Sequence, residues 1–320
     1  MKKLLLLALL SAGASAQDIF NDSDWLLVCD NGNSCRAVGY QAAGDENLPV
    51  AVLFTRAPGA PVKGEVAFNG KDGDKAQLPE IKLTVNGRDR GSLKPDKSSG
   101  KAPLSAEQTA ALLEALKEKG ATVKFAGGGQ HWNLSTQGAA AVLEQLVAAK
   151  DEAAALPLIK AVPVAADDPS YVEVGTDEYK RLNRLLDPDN ACEDAAGDSK
   201  DKDLRLAIYP MDGQHRLVAR LCSWGAYNEI FRFGLFDGQL QRRLQLVGEG
   251  VDDEPLNEYK TGRISGFMRE QASGNCGAGV QYQWDGKEFQ LARRWSNGLC
   301  RAFDAAPWQL PSFVSEPEDK

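Results

Sequence analysis

The stretch 25-WLLVCDNGNSCRAVGY-40 contains two β-rich runs on either side of an Asn-Gly turn. Asn-Gly between such runs is a strong hairpin signal, because both residues readily adopt the left-handed backbone of a tight turn. A hairpin here would bring Cys29 next to Cys35, so we predict a disulfide between them. This part of the chain is therefore expected to be β-sheet closed by a covalent bridge.

The first residues carry the features of a cleavable export signal. Two lysines precede an apolar run over residues 4–10, and residues 14–16 (Ala-Ser-Ala) form a small-residue cleavage site. We predict a signal peptide over residues 1–16, a mature chain that begins at Gln17, and a periplasmic or secreted location. The apolar run is too short for a membrane anchor and no second run of membrane length follows, so no transmembrane anchor is expected in the mature chain.

The six cysteines are expected to be paired, since an even number in an exported chain favours disulfides over metal sites or reactive thiols. They are Cys29, Cys35, Cys192, Cys222, Cys276 and Cys300. Cys276 and Cys300 flank a predicted hairpin and are paired on that ground, which leaves Cys192 for Cys222. Sequence alone does not choose among the pairings of these last four, so their connectivity stays open.

The first half of the chain changes from strand to helix patterning. Residues 24–93 are predicted to be strands joined by tight turns, and residues 91–103 a polar loop. Ser105 and Gln108 have the spacing of a capping box, which predicts a helix that begins after Ser105 and ends at Gly120.

A strand and a second helix are expected to follow. Residues 121–126 have strand character, and residues 127–129 (Gly-Gly-Gly) predict a tight turn or close backbone packing. The second helix is expected to begin at Ser135 or Thr136. Its predicted apolar face is Ala140, Leu143, Leu146 and Val147. Strands followed by helices predict an antiparallel sheet with two packed helices over residues 17–160.

The second half is predicted to be mostly β. Residues 161–203 are expected to be a linker with a short helix at 178–186 and a solvated acidic loop from Asp187 to Asp203. Residues 204–320 contain Asp-Gly pairs that punctuate hairpins, at Asp212-Gly213, Asp237-Gly238 and Asp285-Gly286. The predicted core of this domain is Leu206, Ile208, Leu217, Ile230, Phe233, Leu244, Trp284 and Phe289. The fold class is therefore α+β: an N-terminal antiparallel sheet with two helices, then a mostly antiparallel β domain, stapled by disulfides.

The charge of the chain restricts its partners. The net charge is −8, and removal of Lys2 and Lys3 with the signal peptide makes it −10. An acidic protein is a poor candidate for binding nucleic acid or anionic membrane surfaces. We expect no nucleic-acid partner, and a partner that is an envelope protein or a glycan.

Two short segments stand out as candidate binding surface. Trp224, Tyr227 and Asn228 follow Cys222 in an aromatic, glycine-containing segment that is typical of recognition surfaces. The alternative is a bulged strand that packs Trp224 or Tyr227 inward. His131 and Trp132, after the three glycines, are predicted to line a groove and to extend this surface.

No catalytic constellation is evident in the sequence. There are two histidines, no G-x-S-x-G motif and no phosphate-binding glycine pattern. The acidic loop does not fit a calcium-binding register. We therefore predict no catalytic residue, cofactor or metal. A pair of carboxylates assembled from distant segments stays an alternative, because such pairs are spatial rather than sequential.

Several motifs resemble the exported proteobacterial proteins of the domain-of-unknown-function family 1176. They are Asp24-Trp25 with Val28-Cys29-Asp30-Asn31, Cys35-Arg36-Ala37 with Gly39 and Tyr40, Trp132-Asn133-Leu134-Ser135, residues 138–143, Cys222 with residues 225–228, Cys276-Gly277, Trp284-Asp285-Gly286 with Phe289, and Cys300-Arg301. The resemblance covers nearly the whole mature chain. The first half also resembles, more distantly, the invasion-associated locus B family. Membership implies export and implies no known enzymatic activity.

These observations favour a non-enzymatic, exported binding or envelope-interaction module. The alternative is an envelope hydrolase that uses a spatially assembled carboxylate pair. A redox protein is disfavoured by the absence of a Cys-x-x-Cys pair.

Overall fold

The computed structural model describes residues 19–44, 48–70, 78–190, 192, 204–249, 255–272 and 276–316. These residues form four antiparallel sheets and three helices. The predicted α+β class, with its antiparallel sheets and disulfides, is confirmed. The predicted signal peptide, and residues 191 and 193–203 of the predicted acidic loop, lie outside the described residues. Among the described residues, no helix combines the length and the apolar character that a membrane crossing requires.

The first sheet has six strands in the order β1-β2-β3-β4-β5-β8. They are β1 (Phe20–Asp22), β2 (Trp25–Cys29), β3 (Cys35–Tyr40), β4 (Val50–Arg56), β5 (Lys63–Phe68) and β8 (Lys101–Pro103). Cys29 faces Cys35 across the predicted hairpin, and the predicted disulfide joins them. The prediction of a loop through residues 91–103 is wrong at its end, because β8 pairs with β5 and buries Ala102.

The second sheet has four strands in the order β10-β9-β6-β7. They are β6 (Ile81–Val85), β7 (Arg88–Leu93), β9 (Val123–Gly127) and β10 (Gln130–Leu134). The glycine run makes the tight turn between β9 and β10, with φ of 54° at Gly128 and 76° at Gly129. A Cβ atom on Gly127 would lie 2.4 Å from the carbonyl oxygen of Glu80, so close backbone packing also requires glycine there.

Two helices pack against these sheets. Helix α1 (Ala106–Ala115) has the predicted capping box: the Gln108 amide N–H donates to Ser105 Oγ at 3.1 Å, and the Ser105 amide N–H donates to Gln108 Oε1 at 2.9 Å. Helix α2 (Ala139–Ala148) begins later than predicted, after Gly138. At Ser135 the chain is still bound to the sheet, since its amide N–H donates to the carbonyl of Tyr40.

Half of the predicted apolar face of α2 is confirmed, since Leu143 and Leu146 are buried. The other buried residues are Ala139 and Val142, whereas the predicted Ala140 is exposed and Val147 is 52% exposed. The core between the two sheets and the two helices is built around Trp25, Phe54, Phe68, Phe125 and Trp132.

The second half contains two five-stranded sheets. The third sheet consists of β11 (Ser170–Val172), β12 (Leu206–Pro210), β13 (His215–Trp224), β14 (Glu229–Asp237) and β15 (Arg243–Leu246). The fourth sheet consists of β16 (Glu258–Lys260), β17 (Arg263–Arg269), β18 (Gly277–Trp284), β19 (Phe289–Ser296) and β20 (Leu310–Val314). All three Asp-Gly pairs lie at hairpin turns, as predicted. The two sheets enclose a common core around Trp284 and Phe289.

Two of the predicted core residues of this half are not buried. Leu244 is 40% exposed, and Ile230 is partly exposed. Leu235 pairs with Gln245 and Phe236 with Arg243, so Leu244 is the residue that the β-bulge skips. A skipped residue has no place in the alternation of the sheet and turns outward.

Helix α3 (Asp177–Leu186) lies close to its predicted position and packs Leu182 and Leu186 against the outer face of the third sheet. The prediction that Asp187 belongs to a solvated loop is wrong. Its side chain is 1% exposed and forms ion pairs with Arg220 and Arg232. A carboxylate with two guanidinium partners can be buried, whereas a lone one would be too costly.

The end of the chain returns to the first sheet. Leu299, Phe303, Trp308 and Leu310 pack on the face of that sheet opposite its main core. Arg301 forms an ion pair with Asp24 at 3.1 Å. Trp308 Nε1 donates to a carboxylate oxygen of Glu65 at 2.6 Å. The domain boundary predicted at residue 204 stays a prediction, but residues 299–310 contribute to the packing of the first half.

Two aspartates that hold hairpin turns make stability sensitive to acid. One carboxylate oxygen of Asp212 accepts the amides of Gln214 and His215, and one of Asp285 accepts those of Lys287 and Glu288. Burial by itself would raise each pKa, but the contact of Asp212 with the His215 ring, that of Asp285 with Gln290 and these amide hydrogen bonds outweigh it and lower the pKa of both carboxyl groups.

We expect these two aspartates to stabilise the protein fully above about pH 4, the unfolded pKa, and to lose that contribution as the pH falls through the lower folded pKa. A D212N/D285N variant should therefore melt at a lower temperature than the wild type at pH 7, and the difference should shrink as the pH falls below about 4. Melting curves across this range measure it, with the exposed Asp304→Asn as control. A difference that does not change with pH would contradict the assignment.

Candidate functional site

The candidate surface at the tip of the β13–β14 hairpin is exposed. Trp224 is 40% exposed and Tyr227 is 39% exposed. The turn is closed by a hydrogen bond from the amide of Gly225 to the carbonyl of Asn228, at 2.7 Å. The bulge in the alternative interpretation exists, since the register shifts between Leu221 and Ser223, yet neither aromatic ring packs inward. Two large aromatic side chains are thus presented to solvent within four residues.

This turn is fixed to the neighbouring sheet by Asn228. Its Nδ2 donates to the carbonyl of Arg269 at 2.9 Å, and its Oδ1 accepts the amide of Arg269 at 3.0 Å. The hydroxyl of Tyr227 makes a longer contact, 3.4 Å, with the carbonyl of Glu270. Both polar atoms of the Asn228 side-chain amide are therefore hydrogen-bonded, and Asn228 positions the aromatic residues. These contacts join positions about 40 apart in the chain, so no local pattern could have shown them.

One disulfide lies in β13, which leads into the turn, and another lies at β18 of the neighbouring sheet that Asn228 contacts. Cys192–Cys222 anchors β13 two residues before Trp224, and Cys276–Cys300 joins the start of β18 to the segment after β19. All six cysteines are paired as predicted, and no free cysteine exists. The turn of residues 224–228, called the aromatic turn below, is consequently held by covalent and hydrogen-bonded contacts.

The predicted surface also included His131 and Trp132, and the prediction for Trp132 is wrong. Trp132 is fully buried in the N-terminal core, where its Nε1 donates to the carbonyl of Asn69 at 2.9 Å and its ring packs edge-on to Phe68. Strand alternation explains this, because neighbouring residues of β10 point to opposite faces. His131 is exposed on β10, in the second sheet, whereas the aromatic turn belongs to the third. Trp132 therefore cannot contribute to a surface.

A cluster of residue types that often bind metals lies near the aromatic turn, but its sulfur atoms are not in a form that binds a metal. Glu270, Cys276 and Cys300 bring one carboxylate and two sulfur atoms within 4.8 Å of one another. Both sulfur atoms belong to one disulfide, and metal binding by cysteine needs the thiolate. The cluster is thus a carboxylate beside a disulfide, with 3.4 Å between Glu270 Oε2 and Cys300 Sγ.

One cavity does contain two carboxylates, as the hydrolase alternative requires. Asp89 and Glu107 line a cavity of about 440 Å³ between β7 and α1. Hydrogen bonds lower the pKa of both groups: Asp89 accepts one from Lys82, and Glu107 accepts one from Ser105 Oγ. A glycosidase acid must stay protonated near neutral pH, which needs a raised pKa. These two carboxylates are therefore unsuited to general acid catalysis.

Comparison with known proteins gives one family. The model of the family described as "Protein of unknown function (DUF1176)" matches residues 19–148 and 145–315, which together make up nearly the whole described chain. No curated protein and no solved structure matches. The more distant resemblance to the invasion-associated locus B family stays a prediction.

Proposed function

We propose that this chain, which belongs to the DUF1176 family of proteins of unknown function, is an exported, non-enzymatic binding module that captures an envelope protein or glycan through its aromatic turn. The observation that carries the proposal is the exposure of Trp224 and Tyr227 on a turn that the rest of the fold holds in place. Aromatic residues are enriched at protein interfaces relative to the rest of the surface.

The rigidity of the turn supports binding rather than mere exposure. A partner that packs on Trp224 and Tyr227 buries a large apolar area, and each ring has few rotatable bonds to immobilise. Because Asn228 already fixes the backbone, little further ordering is needed on binding. Aromatic residues with these properties dominate the energetics of many interfaces.

Export is supported by the covalent structure. Three disulfides with no free thiol suit an oxidising compartment and are unusual in the cytosol. The predicted signal peptide over residues 1–16 and the disulfides both favour export. The lowered carboxyl pKa values of Asp89 and Glu107 count against this pair as the catalytic acid and base of the hydrolase alternative.

A photo-crosslinking residue placed at the exposed Ala226 tests the aromatic turn directly. In the intact cell envelope we expect it to form one reproducible adduct, identified by mass spectrometry as a protein or a glycan. The variant W224A/Y227A in the same background should lose at least about 90% of the adduct, since the loss of one interface anchor commonly weakens binding tenfold or more.

Leu244→Ala is the matched control, because Leu244 is as exposed as Trp224 but lies at the bulge of β15. It should leave the adduct unchanged. Melting temperatures of all variants should agree within a few degrees, which separates loss of binding from loss of folding. Equal capture by W224A/Y227A and the wild type would remove the aromatic turn from consideration.

A further inference from the structure

A second surface, distant in sequence from the aromatic turn, has the shape of a ligand site. A groove of about 730 Å³ lies between residues 158–161, the outer face of the fourth sheet and residues 314–316. Backbone hydrogen bonds fix its walls: the amide of Glu316 donates to the carbonyl of Pro157 at 2.8 Å, and that of Val162 to the carbonyl of Trp284 at 3.2 Å. The volume lies within the range of small-molecule sites, and the groove is preformed.

Strand alternation places polar side chains on the floor of this groove. In β18, Tyr282 and Trp284 point into the core, so Gln281 and Gln283 point to the opposite face. The register pairs Arg263 with Gln283 and Gln281 with Arg293. The name "Arg293 groove" is used for the surface made by these residues with Lys160 and Glu316.

The Arg293 groove is positively charged in an acidic protein. Among the residues that the structure describes, its lining has three cations, Lys160, Arg263 and Arg293, and one carboxylate, that of Glu316, whereas the chain as a whole carries −8. A local excess of positive charge inside an otherwise negative molecule indicates a place where an anion is favoured.

Arg293 contrasts with some of the partly buried arginines in the described ranges, although Arg181, Arg216 and Arg243 also lack a carboxylate partner and donate to backbone carbonyls. Arg36, Arg232 and Arg301 each form an ion pair with a carboxylate. Across the described ranges, Arg293 has no such ion pair, and its guanidinium lies 5.2 Å from the centre of the Trp295 ring. A half-buried guanidinium without a carboxylate lacks the partner that normally offsets its burial.

A second guanidinium makes the position of Arg293 still less favourable. Burial lowers the pKa of Arg293, and the positive charge of Arg36 lowers it further. Arg36 is held in place by Asp30 at 3.0 Å, and Asn31 in the same turn exchanges hydrogen bonds with the backbone of Val314 at the edge of the groove. Asp30 thus compensates Arg36 and not Arg293, so a bound anion would stabilise the Arg293 guanidinium.

We infer that the Arg293 groove binds an extended ligand with oxyanion groups, carboxylate or phosphate, one of which is bound by Arg293 and another by Lys160. The planar guanidinium matches the two oxygens of a carboxylate or phosphate, and the lysine adds a point charge. Gln281 supplies an amide that can donate to or accept from the uncharged part of the ligand. This site is separate from the aromatic turn, so it goes beyond the proposed function.

Calorimetry with the full mature chain tests the inference with two probes. Tri-galacturonate presents carboxylates and tripolyphosphate presents phosphates, so their relative affinity identifies the preferred group. At least one should bind, and its affinity should fall as sodium chloride rises from about 50 to about 500 mM, because salt screens charge interactions. The R293Q and K160Q variants should each weaken binding about tenfold or more.

Arg242→Gln is the matched control, since it removes one exposed positive charge that does not line the groove. It should change the affinity by less than about twofold. R293Q should melt at the same temperature as the wild type or higher, because it removes a like charge from beside Arg36. Binding of neither probe, equal binding by R293Q, or a clear loss of stability in R293Q would each overturn the inference. W224A/Y227A should keep full probe binding, which separates this site from the proposed function.

Discussion

Replacement of Asp187 by alanine is expected to destabilise the protein by about 3–5 kcal/mol, the usual cost of removing one partner from a buried ion pair. The carboxylate is 1% exposed and lies between the guanidinium groups of Arg220 and Arg232. It also accepts the backbone amide of Cys192 at 3.0 Å. Its loss would leave Arg220, whose side chain is 7% exposed, without its compensating charge.

Chemical denaturation measures this loss as a change in the free energy of unfolding. Asp189→Asn is the matched control, since Asp189 lies two residues further on but is exposed. It should change stability by less than about 0.5 kcal/mol. In the D187A background, Arg220→Met should recover part of the loss, because the stranded charge is then absent. A change of less than about 1 kcal/mol in D187A would show that the ion pairs are not stabilising.

The burial of Asp187 and its ion pairs could not be predicted from the sequence. Its neighbours in the chain are acidic, and a run of like charges usually indicates a solvated loop. Its partner Arg232 lies 45 positions away, and no local pattern connects the two. The pairing follows from the packing of α3 on the third sheet, which only the tertiary structure reveals.

The hairpin turns and the Cys29–Cys35 disulfide were predictable because their causes are local, whereas the other two bridges span 30 and 24 positions and their pairing was left open. Asn86 and Gly87 have φ values of 49° and 74°, the left-handed backbone that an Asn-Gly hairpin needs. The hairpin of Cys29 and Cys35 forms as predicted, but its left-handed residue is Asn33, with φ of 66°, and not Asn31 or Gly32; its disulfide follows from the hairpin. The capping box of α1 likewise depends on residues three apart. Such signals operate within a few residues and survive any tertiary arrangement.

The candidate sites were predictable only in part, because they depend on distant segments. The aromatic turn was visible as an unusual composition near Cys222, but its fixation by Asn228 against Arg269 was not. The prediction for Trp132 was wrong because composition does not reveal which face of β10 it occupies. The Arg293 groove combines three segments, the linker, β17–β19 and the end of β20, and none of them is unusual by itself.

Removal of the Cys192–Cys222 disulfide is expected to cost about 3.5 kcal/mol, from the entropy that its loop loses in the unfolded chain. The two cysteines are separated by 30 positions. Cys276 and Cys300 are separated by 24, which predicts nearly the same cost, whereas Cys29 and Cys35 are separated by 6, which predicts about 2 kcal/mol. Alanine pairs at each bridge allow the three costs to be compared by denaturation.

The Cys192–Cys222 bridge should exceed the entropic value, because it also positions the charges around Asp187. The amide of Cys192 donates to Asp187, and its carbonyl accepts from Arg220 at 3.1 Å. A double-mutant cycle of C192A/C222A with D187A should therefore be non-additive by about 1 kcal/mol or more, whereas C29A/C35A with D187A should be additive.

Reductant should lower the melting temperature of the wild type and of each variant that lacks one bridge. An unchanged melting temperature in reductant would mean that the bridges do not stabilise the fold, and it would remove the main support for an oxidising compartment.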